Sequence, residues 1–257
     1  MFTVLRKLIV NPSLNSGVMR KNLTNTLLCL LLPFSLLSQN SSNTDLTHII
    51  TPYRFVNESS INGKNLYFEY WVKGKLLLAD NSVVNGDNYY FNFDKIEHKL
   101  LITSDFRSIY EIDRREFKAI LFYLRDTGYV FKHISYINDK DLFQVMVNES
   151  SKYSLFKVVH TKLVKGVYNG MYTSSGLTVT DKYMDATEYF IFFPNKEYRV
   201  VHSLKKAALE KAFLFNPDSD KVSDYLNGAG EKSLEEKDLM HLIAYLNDNT
   251  TSANNLR

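Results

Sequence analysis

Short runs rich in aromatic and branched apolar residues recur along the middle of this chain, separated by turn residues, and "SIYEI" alternates apolar with polar as a half-buried strand does. "NLYFEYWVKGKLLLA" (65–79) and "SVVNGDNYYFNFD" (82–94) carry the aromatic and branched residues of strands, with turns at Asp80-Asn81 and Asn85-Gly86. "LLIT" (100–103), "SIYEI" (108–112), "GYVFKHISYI" (128–137), "DLFQVMVN" (141–148) and "YSLFKVVHTKLV" (153–164) extend the series, and "ESSK" (149–152) predicts a hairpin turn. "TEYFIFF" (187–193) and "YRVVHSL" (198–204) flank another, at "PNKE". "EFKAILFYL" (116–124) fits both periods, with Phe117, Ile120, Leu121 and Leu124 at helical spacing; its β-rich neighbours favour a strand. Residues 166–186, with three glycines among serines and threonines, predict a loop of about 20 residues, long enough to suggest a function or mobility.

Near residue 204 the period becomes helical. "SLKKAALEKAFLF" places Leu204, Ala208 and Ala212 on one face with Leu209 and Phe213 beside it, and Asn216-Pro217 ends it. "DKVSDYL" predicts a short helix closed by Gly228. In "SLEEKDLMHLIAYLND", Ser233 and Glu236 have capping-box spacing, and Leu239, Leu242, Ile243 and Leu246 form one stripe. About ten strands followed by two or three helices predict a mainly β (α+β) fold. We expect an antiparallel meander, curled or partly closed, with the C-terminal helices packed on it. The expected division is a β domain over 61–203, helices over 204–247 and a disordered tail over 248–257, with a flexible lead-in at 39–60 that becomes ordered near Tyr53 or later.

The segment that ends at Ser38 follows another pattern. Leu27 to Leu37 is an apolar run broken only by Pro33 and Ser35, preceded by Arg20 and Lys21 and followed by Ser38, Gln39 and Asn40. A spanning helix needs about 20 apolar residues, whereas a short run between basic and small residues is the pattern of a secretory signal peptide. We expect cleavage near Ser38, no integral membrane span, and a periplasmic or extracellular protein. Met19 stands directly before the charged region, so residues 1–18 read as an upstream mis-start. The single cysteine, Cys29, lies inside the apolar run after Leu27 and Leu28, where a lipoprotein signal would need a small residue.

Cleavage changes the charge. Four of the 31 basic residues and none of the 28 acidic ones lie in 1–38, which turns a net +3 into −1. The electrostatic support for a nucleic-acid partner disappears. The mature chain also has no thiol chemistry and no disulfide.

"YWVKGKLLLADNSVVNG…YYFNFDKIEHKLLI", "DLFQVMVNESSKYSLFKVVHTKLVKG" and "LKKAALEKAF…LEEKDLMHLIAYLN" together resemble a family of exported, β-rich proteins from Bacteroidota over about residues 65–247. The resemblance implies export and fold; it supplies no functional residue.

Chemistry is sparse. No two of His48, His98, His133, His160, His202 and His241 lie within four residues of each other, so no helical zinc motif exists; His133, His160 and His202 lie on predicted strands that could bring them together. Asp218, Asp220 and Asp224 begin like a calcium loop, but Val222, Ser223 and Ala229 break it, leaving Asp218 and Asp220 as helix-start acids. Ser174 and Ser175 lack a nucleophile-elbow context, and Gly63 and Gly74 form no phosphate loop. Asp94 with Glu97, Glu111 with Asp113 and Asp139 with Asp141 are the carboxylate pairs a hydrolase would need, although same-face acids on a strand usually face solvent. Trp71, Tyr89 and Tyr90 are the candidate ligand-binding residues, as an apolar or sugar-stacking surface; alternate rings in such strands also simply form a core. No cofactor motif is present. The expectation is a non-catalytic binding or interaction module of the cell envelope, with an envelope protein or a small apolar ligand as partner. An assembly subunit of an envelope complex and an unrecognised hydrolase are the alternatives.

Overall fold

The computed structural model describes residues 46–54, 64–148, 150–166, 181–229 and 234–248. The segment read as a signal peptide and the C-terminal tail lie outside them. Among the described residues, twelve strands form two sheets in which every pairing is antiparallel. The small sheet has the order β1-β6-β5-β4, from β1 (Ile50–Pro52), β4 (Tyr90–Asp94), β5 (Lys99–Thr103) and β6 (Ile109–Ile112). The large sheet comprises β2 (Lys73–Leu78), β3 (Val83–Asn85), β7 (Phe117–Leu124), β8 (Thr127–Ile134), β9 (Asn138–Val147), β10 (Ser154–Val164), β11 (Lys182–Phe192) and β12 (Tyr198–Val201). Its order, β12-β11-β10-β9-β8-β7-β2-β3, is largely a meander. Three helices follow: α1 (Lys206–Ala212), α2 (Ser219–Ala229) and α3 (Glu236–Asp248).

The expected fold class holds. The strands divide between two sheets and no closed barrel forms, because two separate apolar faces need covering. One core lies between the sheets, where Phe91, Phe93, Leu100, Ile102 and Ile112 of the small sheet meet Leu76, Ile120, Phe122, Phe131 and Leu142 of the large one. The other lies under the helices. There Leu209, Phe213, Val222, Leu226 and the predicted stripe Leu239, Leu242, Ile243, Leu246 cover Leu155, Tyr189 and Ile191. On the opposite face of those strands, Phe143, Val145, Phe156, Val158, Phe190 and Phe192 form a third, aromatic cluster.

Local details depart from the sequence pattern. Leu46 and Ile49 are buried, and Ile50–Pro52 pairs with β6, so residues 46–52 of the expected lead-in are part of the fold. Residues 182–186 belong to β11, paired with His160 to Val164, and not to a loop; 167–180 lie outside the described residues. Helix α2 runs past Gly228 to Ala229. The capping-box partner of Glu236, Ser233, lies outside the described residues; Glu236 Oε2 accepts from Lys157 Nζ at 2.6 Å and from the Tyr189 hydroxyl at 2.9 Å, pinning α3 to β10 and β11. Gly74 is a close-approach residue, because a Cβ there would sit 2.7 Å from the Leu121 carbonyl oxygen.

Candidate metal centre

The β4–β5 hairpin turn projects from the small sheet onto the large one. Buried Asp94 builds that turn. Its carboxylate accepts from the backbone N–H groups of Ile96 and Glu97 at 2.9 and 3.0 Å, and from Tyr53 and Asn65 at 3.0 Å each. Next in the turn, the buried Lys95 ammonium is gripped by both oxygens of Asp185, at 2.9 and 2.7 Å, and Asp185 also accepts from Thr161. The turn closes on His98, whose φ of 55° is left-handed. Glycine or asparagine holds that conformation at lower cost; a bulkier residue there costs about 1–2 kcal/mol.

That backbone aims the His98 ring at β9 and β10. The β9–β10 ladder ends at Lys157–Gln144, and the β8–β9 register shifts between Lys132 and Ile134, so Asp141 and His160 lie where regular pairing stops. His98 Nδ1 lies 2.9 Å from Asp141 Oδ1, and His160 Nδ1 lies 3.9 Å from the same oxygen. One ligand atom from each of the three residues falls within 4.8 Å of the other two. For metal–ligand distances near 2.1 Å, tetrahedral donors are about 3.4 Å apart, and the two measured separations bracket this. Asp141 is 5 % exposed and the two histidines about a third, so the carboxylate is fixed while the rings remain accessible to a small cation.

Without a cation, His98 and Asp141 form a charge-assisted hydrogen bond whose proton a metal would have to displace. Burial would raise the Asp141 carboxyl, but the hydrogen bond from His98, the charge of His160 and the Asn138 amide at 2.7 Å together hold it below the usual carboxylate range. The His98 imidazole is raised by its hydrogen bond to Asp141, against the opposing effect of burial.

Two further groups extend the cluster along the large sheet. His160 Nε2 lies 3.4 Å from Glu188 Oε2, and Glu188 Oε1 lies 3.2 Å from His202 Nδ1. His133 is the exception among the three strand histidines that the sequence could bring together. Its Nδ1 contacts the backbone oxygen of Asp141 at 3.2 Å, its ring packs on Phe117, and burial lowers its pKa. His98 joins in its place. No spacing rule could have found it, since its partners lie far downstream, on β9 and β10.

The other sequence candidates lie elsewhere. Tyr89 packs against the inter-sheet core, Tyr90 stacks on Phe106 with Lys73 Nζ 3.9 Å above its ring, and Trp71 is half-buried beside Val72, which bridges to β4. None of the three lines the clefts beside the β4–β5 turn or the cleft on the aromatic face. The paired acids are engaged separately: Glu111 with Lys99, Asp113 with Arg115, Asp139 with Arg114. The aromatic face carries an open cleft of about 590 Å³ with walls from Tyr136, Phe156, Phe192 and Phe193, flanked by Lys152 and Lys196. Among the described residues no helix is long and apolar enough to cross a membrane. No protein family, curated protein or solved structure matches this chain.

Proposed function

We propose that this chain is an exported binding module of the cell envelope and that its ligand is a divalent transition-metal cation, with zinc the best fit. The observation that carries this reading is the convergence of His98, Asp141 and His160, from two sheets, within 4.8 Å of one another. Two imidazoles and a carboxylate are borderline donors suited to zinc, and three protein ligands leave a fourth position for water or a donor from a partner. The leader-like segment before Gln39 supports placement outside the cytoplasm. A second reading, capture of a small apolar ligand, draws support from the aromatic cleft with its flanking lysines.

Isothermal titration of chelator-stripped protein with Zn²⁺ tests the first reading. We expect one equivalent bound by the wild type and none by His98→Asn, which keeps a residue suited to the left-handed turn while removing the imidazole. Equal binding by wild type and variant overturns the assignment.

A further inference from the structure

The metal reading above leaves Glu188 and His202 without a role, and their positions supply one. We propose that they form an outer shell that selects which nitrogen of His160 binds the cation. This inference rests on the metal site itself. Both groups follow from strand register. Along β10, His160 continues the alternation of Phe156 and Val158; along β11, Glu188 precedes Phe190 and Phe192 on that same face. Glu188 pairs with Val158, which makes it the diagonal neighbour of His160. Val201 pairs with Tyr189, so His202, one step beyond β12, comes alongside Glu188.

The two nitrogens of His160 therefore lie nearest different carboxylates: Nδ1 is 3.9 Å from Asp141 Oδ1, and Nε2 is 3.4 Å from Glu188 Oε2. A neutral imidazole carries one proton. An N–H donated to Glu188 places that proton on Nε2 and leaves the lone pair on Nδ1, the nitrogen nearer Asp141. A ligating histidine that donates its other N–H to a carboxylate is the general arrangement by which proteins fix ring orientation and raise ligand basicity. The second oxygen of Glu188 is held by His202, which limits rotation of the carboxylate. Glu188 is thus a positioning residue, and His202 positions Glu188. When the cation binds, the proton between His98 Nδ1 and Asp141 leaves to solvent, whereas the Nε2 proton of His160 stays.

Two measurements on the full chain test this. Long-range ¹H–¹⁵N spectra of histidine-labelled, metal-free protein report the tautomer of His160; protonation at Nε2 is expected, and protonation at Nδ1 overturns the proposal whether or not metal binds. Zn²⁺ titrations then compare variants at fixed pH. Glu188→Ala should weaken Zn²⁺ about 10- to 100-fold. Glu188→Gln, which retains a neutral acceptor, should recover part of that loss, and His202→Ala should cost several-fold. The Co²⁺-substituted absorption spectrum should keep its band positions in all three, because the ligands themselves are unchanged. Glu188→Ala and Glu188→Gln variants that bind Zn²⁺ as tightly as the wild type overturn the outer-shell role while leaving the metal site standing. A wild type that takes up no Zn²⁺ overturns the site itself.

Discussion

Asp218 is almost fully buried and stays charged because three donors converge on it. Lys152 and the Tyr153 hydroxyl reach Oδ2 at 2.6 Å each, and Lys221 reaches Oδ1 at 2.8 Å. Burial would raise its pKa, but these partners lower it well below the unfolded value near 3.9. A depressed carboxylate contributes stability that is fully present above the unfolded pKa and disappears as pH falls through the folded one. Asp218→Asn should therefore cost about 2–3 kcal/mol at pH 7 and flatten the fall in stability below about pH 4. Denaturant titrations at pH 7 and pH 3 check both; an equal loss at the two pH values would contradict the assignment. The sequence marks Asp218 as a helix-start acid, which is right about its place, since Ser219 opens α2. What it hides is the burial, because Lys152 and Tyr153 arrive from the distant β9–β10 hairpin.

Elements were legible wherever one periodicity dominated. The stripe Leu239, Leu242, Ile243, Leu246 is wholly buried, and the ambiguous 116–124 segment is the central strand β7, as its neighbours implied. Elements were less legible where a long-range partner matters. Glu236 has capping-box spacing with Ser233, which lies outside the described residues, and the local pattern does not show that its Oε2 accepts from Lys157 and Tyr189. Residues 182–186 look like a loop by composition, yet they pair with the far end of β10. The candidate site was the least legible part, because antiparallel register, and not sequence spacing, puts His98, Asp141 and His160 together. If Glu236 serves as a bolt between helix and sheet, Glu236→Ala should leave helix content unchanged while destabilising the fold by about 1–3 kcal/mol through the stranded Lys157 and Tyr189. Circular dichroism with urea unfolding checks this, and a loss of helicity in the native state would favour the capping role.

At the scale of the whole molecule, the two sheets share one apolar core and are also joined at the β4–β5 turn by polar contacts, Lys95 to Asp185 and His98 to Asp141. A cation held by His98, Asp141 and His160 would tighten that junction. Because it would bind the folded state and not the unfolded one, free Zn²⁺ at 100 times its dissociation constant should add about 2.7 kcal/mol. For a chain of this size that corresponds to a rise in Tm of about 5–10 °C. Thermal unfolding with Zn²⁺ and with chelator measures it; identical midpoints would mean that Zn²⁺ does not bind the folded state in preference to the unfolded one.

The hairpin turn that carries His98 also has a consequence for how the folded chain is tied together. The sequence beyond Ser38 contains no cysteine, so oxidation cannot tie its distant parts together. A metal ion spanning His98, Asp141 and His160 would tie remote parts of the folded chain together, adding stability by mass action on the native state where a disulfide constrains the unfolded one. Unlike a disulfide, such a tie would be exchangeable: it would resist reductants and yield to chelators, so metal supply, and not redox state, would govern how firmly the two sheets are held together.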